Sequence, residues 1–369
     1  MASIEARGLR KTFGSTVALD GVDLRVAEGR ILGLIGPNGA GKTTLLQALS
    51  FLTKPSGGRI LFRGQAVGAE YRPLEFRRRL AMVFQEPLLF DTTVFGNVAT
   101  GLKIRGTASS EVRNLVESQL ERFGIAHLRD RSTRTISGGE AQRTSLARAF
   151  AISPEILFLD EPFAALDPPT REAIVADLEK VLAETKTTTV MATHDRNEAL
   201  RLSDRIAVME AGRIAQIDRP AVVMNQPVDA FVASFVGTET ILSGSIKENR
   251  RGSLIADVRG AEVEAVGDAM PGENVVLCIR PENVTLARNV NKATSARNAF
   301  IGRIERIVPM GAFHRVHLDC GFPLVAYVTN QSLESLGLIV DLQVAASVKA
   351  TAIHVIRQGR HAASPSCTI

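Results

Sequence analysis

Residues 30–52 read RILGLIGPNGAGKTTLLQALSFL, and this stretch decides the fold. An apolar run at 31–35 leads into Gly-x-x-x-x-Gly-Lys-Thr, which opens a segment with leucines at helical spacing. Glycines let a backbone wrap a phosphate with its N–H groups, and a helix start adds a favourable dipole. Placed between a strand and a helix, the pattern is a cradle for nucleotide phosphates. Gly36, Pro37, Asn38, Gly39, Ala40, Gly41, Lys42, Thr43 and Thr44 are therefore candidate nucleotide contacts. Lys42 is expected to reach the β- and γ-phosphates and Thr43 to ligate Mg²⁺.

Working outward, PEILFLDEP, TTTVMATHD and RIAVMEAGRI have the same apolar character as RILGLIG and read as buried parallel strands. Between them EAQRTSLARAFA and PTREAIVADLEKVLAET carry apolar residues at helical spacing. Strands alternating with helices mean an α/β domain. ILFLDEP delivers Asp160 and Glu161 to a strand end, where adjacent acids are costly without a cation. Asp160 is expected to hold Mg²⁺, and Glu161 to orient and deprotonate an attacking water. His194 also ends an apolar strand, where a γ-phosphate sensor would sit. Gln85 follows the short strand AMVF and is a second catalytic and metal candidate.

Composition narrows the classes. Lys and Arg number 44 against 39 Asp and Glu, and the small excess is scattered, which reads as a solvated surface and not as a nucleic-acid face. With no Trp and two Tyr, base-stacking platforms are not expected. Cys278, Cys320 and Cys367 lie far apart without metal-ligand spacing and read as reduced thiols. The stretch MASIEARGLRKTFG lacks the apolar segment of a secretory signal. No apolar run approaches the roughly 18 residues that span a bilayer, so a membrane role must come through a partner.

After about Ile241 the texture changes to short β-type segments: GSLIADV, ENVVLCIRPENVTLA, FIGRIERIV, HRVHLDCG, PLVAYVT and QVAASVKATAIHVI. This half reads as weakly duplicated, with VVLCIRPENVTLA similar to VAASVKATAIHVI and Arg280 matching Lys349. The expected organisation is an α/β domain over 1–236 and a β-rich domain over 240–357. Its second unit covers about 293–357, and 358–369 form a loose tail.

A second glycine pair, ISGGE at 136–140, resembles another phosphate cradle. Taken in order, GPNGAGKTT, Gln85, ISGGE, ILFLDEP, AALD and His194 resemble the ATP-binding subunit of an ABC transporter. The resemblance covers the whole chain, because the β-rich half is similar to the OB-like, tandem-barrel regulatory domain of importer subunits. It implies a P-loop ABC ATPase that binds ATP and Mg²⁺ on the cytoplasmic face of the membrane. It implies a head-to-tail pair of identical subunits, so that Ser137, Gly138, Gly139 and Glu140 serve the partner's nucleotide. Asp167 in AALD would couple the two sites, and Phe13 in RKTFG matches the aromatic that stacks on adenine. Integral membrane permease subunits and a periplasmic or surface binding protein are the further partners implied, and nucleic acid is not.

The family's signature usually ends in Gln, where this chain has Glu140. Glu at this place is similar to molybdate and tungstate importers, and an acid early in a helix meets the dipole favourably. TSARNAFIGRI, YVTNQSLESLGL and SVKATAIHVI resemble the molybdate-binding β domain over roughly 293–357. A tetrahedral dianion needs hydroxyl and N–H donors with one or two cations. Ser295, Arg297, Lys349 and Thr351 offer these, against the alternative that they are ordinary turn and strand residues.

The expected function is the ATPase of an oxyanion importer, for tungstate or molybdate. The alternatives are an importer of sulfate, ferric iron, a polyamine or a sugar. A soluble ABC-type ATPase of DNA maintenance would insert a long coiled coil between Lys42 and Ser137, and no sustained heptads occur there. The apolar cluster Leu88, Leu89, Phe90, Val94 and Phe95 is expected to be exposed and to receive a helix of the membrane subunit.

Overall fold

The computed structural model describes residues 2–289 and 294–358. Cys367 and the tail expected beyond 358 lie outside these residues. The chain divides into two compact units, one up to Pro220 and one from Ala221 onward.

In the first unit the strands Arg213–Asp218, Arg205–Glu210, Ile31–Ile35, Thr188–Ala192, Ile156–Asp160 and Leu80–Val83 lie side by side in that order. All neighbours are parallel except the first pair. The stretch read as one strand, RIAVMEAGRI, is instead a hairpin. Ala211 and Gly212 take left-handed φ values of 45° and 78°, which reverse the chain between Glu210 and Arg213. Ile156, Leu157, Phe158 and Leu159 are fully buried, as a strand covered on both faces must be.

A second sheet, antiparallel, is formed by Thr16–Ala27, Ala2–Phe13, Gly57–Phe62 and Gln65–Ala66. One core joins it to the parallel sheet through Leu45, Leu46 and Leu49 of the helix Lys42–Leu49. The helices Val94–Ile104, Ser109–Arg122 and Gly138–Ala151 share a separate core with Phe123, Phe150 and Phe163.

The second unit is all-β and OB-like apart from short helices. One sheet runs Ala261–Val266, Ser253–Val258, Thr240–Arg250, Asn274–Ile279 and Ile353–Arg357. The other runs Thr285–Ala287, Gln343–Val348, Asn298–Pro309, Phe313–Asp319 and Pro323–Thr329. The duplication is real in form. Asn274–Ile279 ends in a 3₁₀ turn that begins after Arg280, and Gln343–Val348 ends in one that begins after Lys349. Beyond each turn the chain crosses to the other sheet. Ile353–Arg357 pairs with Asn274–Ile279, and Thr285–Ala287 pairs with Gln343–Val348. The halves thus exchange one strand each, and a single core serves both sheets.

Candidate functional site

The strand Ile31–Ile35 delivers Gly36 to the carboxyl edge of the parallel sheet. An added Cβ at Gly36 would sit 2.4 Å from the Met209 carbonyl oxygen, and one at Gly41 would sit 2.7 Å from that of Ala18. Gly41 also holds a left-handed φ of 100°, so glycine is required on both counts. The loop then turns into the helix Lys42–Leu49, whose free N–H groups face the cradle.

Lys42 folds back over its own loop. Its Nζ donates to the Gly36 and Pro37 carbonyls at 2.8 and 3.2 Å and lies 3.8 Å from Glu161 Oε1. Burial pushes the ammonium pKa down, against the pull of Glu161 and Asp160. Thr43 Oγ1 donates to Asp160 Oδ1 at 2.9 Å. Burial pushes the Asp160 carboxyl up, partly offset by Thr43 and Lys42. Burial therefore disfavours the charged forms of both groups, a cost that a polyanion carrying a divalent cation relieves.

Glu161 follows directly with a left-handed φ of 46°. That conformation costs a non-glycine residue about 1–3 kcal/mol. It turns the chain out of the strand and aims the carboxylate, held to His194 Nδ1 at 2.8 Å. His194 is 56% exposed at its side chain, whereas Glu161 is 16% exposed. Sequence-distant Lys42, Thr43, Asp160, Glu161 and His194 thus form one contiguous cluster.

Gln85 is exposed just past Leu80–Val83, the strand beside Ile156–Asp160. It comes off the same sheet edge as Asp160, but no hydrogen bond joins the two among the described residues. Phe13, 52% exposed, ends a strand of the antiparallel sheet, and Lys11 Nζ lies 4.8 Å from its ring centroid. Asp167 caps the helix Pro168–Thr185 by accepting from Thr170 N at 3.1 Å.

Ser137 caps the helix Gly138–Ala151. Its Oγ accepts from Glu140 N at 3.3 Å, and Glu140 Oε2 accepts from Ser137 N at 2.7 Å. This reciprocal capping box gives Glu140 a local partner that Gln would also satisfy. The Ser137 N–H bond holds the Glu140 carboxyl below its usual pKa. Among the described residues no hydrogen bond or ion pair links residues 137–140 to the Gly36–Thr44 loop.

Residues 19–164 match the ABC transporter family profile and residues 294–355 the TOBE domain profile. A molybdate/tungstate import ATP-binding protein of Pyrococcus horikoshii is 38% identical over 90% of this chain and 94% of its own length. The chain belongs to the ATP-binding subunits of ABC importers. A spermidine/putrescine import ATP-binding protein of Pseudomonas aeruginosa is 37% identical, over 89% of this chain and 91% of its own length. A sulfate/thiosulfate import ATP-binding protein of Mycobacterium tuberculosis is 36% identical, over 89% and 87%. Among solved structures, CbiO1 of Clostridium perfringens, part of an ABC transporter complex, aligns with a TM-score of 0.57 and 31% identity. That alignment covers 64% of this chain and 95% of CbiO1. The chain is accordingly an ATP-hydrolysing transporter subunit. Among the described residues no helix is long and apolar enough to cross a membrane.

Within this ABC subunit the expected docking cluster needs correction. Leu88 and Phe90 are 59% and 57% exposed and Leu89 is half-buried, but Val94 is fully buried and Phe95 packs against the core. Val94 and Phe95 sit in the first turn of Val94–Ile104, whose inner face the core requires. The exposed part is the preceding loop, and polar groups that the motifs did not reveal hold it. Phe90 N donates to Asn97 Oδ1 at 2.8 Å, and Asn97 Nδ2 donates to the Phe90 carbonyl at 2.9 Å. Arg148 donates to the Leu88 carbonyl at 2.8 Å.

Among the described residues no hydrogen bond joins any two of the four oxyanion candidates. Asn298 pairs with Val348 as the last pair of that ladder, and Arg297 and Lys349 each lie one residue beyond it, with Ser295 two residues before Arg297. Thr351 lies past the 3₁₀ turn and lines a cavity of about 400 Å³ with Arg280, Asn283 and His354. Arg280 donates to the Met224 carbonyl and His354 Nε2 contacts the Pro227 carbonyl at 2.8 Å, so both side chains hold backbone.

Proposed function

We propose that this chain powers uptake of an oxyanion, tungstate or molybdate, as the ATPase of an ABC importer. The supporting observation is similarity along nearly the full length, β-rich half included, to the Pyrococcus molybdate/tungstate proteins at 38% identity. Arg297 and Lys349 carry the two cations that a dianion needs, and each lies one residue beyond the Asn298–Val348 pair. Polyamine and sulfate importers are a second reading, favoured by relatives at 37% and 36% identity.

In this reading Phe13 stacks on adenine, residues 36–44 wrap the phosphates, and Lys42 leaves its loop carbonyls for the β- and γ-phosphates. Thr43, Asp160 and Gln85 would hold Mg²⁺, which when bound neutralises phosphate charge. Glu161 takes the proton of the attacking water, and His194 orients Glu161 and senses the γ-phosphate. Ser137, Gly138, Gly139 and Glu140 complete the site of a second copy, and Asp167 couples the two. The functional domains are 1–236 for hydrolysis and 240–357 for regulation. Membrane permease subunits on the cytoplasmic face and an external binding protein complete the assembly.

The test is uptake of radiolabelled molybdate, with tungstate, sulfate and putrescine as competitors, in cells lacking the chain and in cells complemented with it. Competition by tungstate and none by sulfate or putrescine is expected. Restored putrescine or sulfate uptake without molybdate uptake would move the substrate and leave the ATPase assignment standing.

A further inference from the structure

Arg171 sits in the first turn of the helix Pro168–Thr185, where a cation opposes the helix dipole. Its contacts explain the placement. Nε donates to the Phe163 carbonyl at 3.3 Å, and Nη2 donates to the Leu166 carbonyl at 3.0 Å. These carbonyls belong to the loop between Glu161 and Asp167. On its other side the guanidinium faces two carboxylates, with Nη1 3.8 Å from Asp195 Oδ2 and Nε 3.9 Å from Glu198 Oε1.

Those acids shape the loop that carries His194. Asp195 caps the helix Arg196–Leu202. Thr193 Oγ1 donates to Glu198 Oε2 at 2.5 Å and accepts from Asp195 N at 3.0 Å. Glu198 is buried, and the Arg171 charge opposes the burial that pushes its carboxyl up. A continuous set of polar contacts therefore runs from the Asp167 loop through Arg171 to Asp195 and Glu198. It ends at Thr193, the residue before His194, whose ring in turn meets Glu161.

We propose that Arg171 is a positioning residue that ties the Asp167 loop to the His194 loop, so that His194 meets Glu161 only when the Asp167 loop is in place. Among the described residues the Arg171 side chain makes no hydrogen bond or ion pair to residues 36–44, and it acts through His194. A planar fork with five N–H donors can serve two carbonyls and two carboxylates together, which a lysine cannot. The inference rests on the catalytic reading of Glu161 and His194, and the experiment separates the two.

The experiment is a double-mutant cycle on the full-length chain, with single-turnover ATP hydrolysis followed long enough to read slow rates. Arg171→Met keeps the apolar stem and removes the donors. It is expected to slow hydrolysis at least tenfold with ATP affinity unchanged, and Arg171→Lys is expected to fall between the two. In the His194→Ala background, Arg171→Met should cause no further loss, because a residue acting through His194 has nothing left to position. Multiplicative loss in the double variant would overturn the proposal, as would full activity of Arg171→Met. If Arg171→Met does not fold, Arg171→Lys carries the same cycle. If His194→Ala alone hydrolyses at the wild-type rate, the catalytic reading of His194 fails, and this proposal with it. Normal His194 sensitivity with an additive Arg171 effect rejects this proposal alone.

Discussion

Glu161 and Asp160 are neighbours, yet their surroundings differ, and the tasks proposed for them differ accordingly. Glu161 is turned outward by its left-handed backbone and meets His194, and it is the proposed base. Glu161→Gln keeps shape and hydrogen bonding and removes only the basicity. It is expected to abolish steady-state hydrolysis while nucleotide affinity persists, and near-normal turnover in the purified protein would sink the role. Asp160 is held inside, where burial raises its pKa above 3.8. An acid raised in the fold binds its proton more tightly folded than unfolded. Its destabilising effect is therefore absent below the unfolded value and grows as pH rises through the folded one. Asp160→Asn should raise the Tm of the nucleotide-free protein at neutral pH, with the gain shrinking toward pH 4, and should abolish hydrolysis. A Tm that falls at neutral pH would contradict this. These residues were legible because a buried strand ending in two acids has few structural uses. Arg171 was not, since nothing in PTREA reveals that its target is a pair of backbone carbonyls.

At the scale of elements, the departure at Glu140 becomes a statement about a helix start. Its carboxylate accepts the Ser137 N–H, so Glu140→Ala should cost about 1 kcal/mol of stability, and Glu140→Gln much less. The bond lowers the Glu140 pKa below 4.5. The stabilisation is therefore present above that unfolded value and is lost as pH falls through the folded one. Equal Tm values for the Ala and Gln variants at pH 7 would rule the capping account out. The loop before Val94–Ile104 behaves differently. Asn97 and Arg148 hold its backbone while Leu88 and Phe90 stay in solvent, so apolar area is presented without being needed by the fold. Leu88→Glu or Phe90→Glu should leave the Tm and intrinsic ATPase nearly unchanged and sever uptake from hydrolysis in the assembled importer. Undiminished uptake would remove the loop from the interface. Apolar runs revealed most of the strands, because burial on two faces demands them. The run could not show that RIAVMEAGRI turns back on itself, which depends on the backbone at Ala211 and Gly212. The strand exchange in the β unit was hidden for a similar reason. Sequence similarity marked Arg280 and Lys349 as equivalent, but pairing across the two sheets is a tertiary choice.

At the scale of the whole molecule, the chain has P-loop, acid and histidine residues in one cluster and a second helix start that no hydrogen bond or ion pair joins to residues 36–44 among the described residues. Two like subunits related by a twofold axis can use both surfaces at once, since the patch on each then meets the complementary patch of the other. If Ser137 works on the partner's nucleotide, each site takes its P-loop from one subunit and its signature from the other. Mixed dimers then give a decisive count. Lys42→Ala on one subunit and Ser137→Arg on the other place both lesions in the same site and leave one site whole. Both substitutions on one subunit, opposite a wild-type partner, place one lesion in each site and leave none whole. Differently tagged subunits, purified by two affinity steps, separate these species. The first arrangement should retain single-turnover hydrolysis at its intact site, and the second should lose it at both. Ser137→Arg also removes a helix cap worth about 1 kcal/mol, so the Tm of each subunit serves as the control for folding. The reverse pattern, with activity surviving only when both changes share a subunit, would mean that each signature serves its own P-loop.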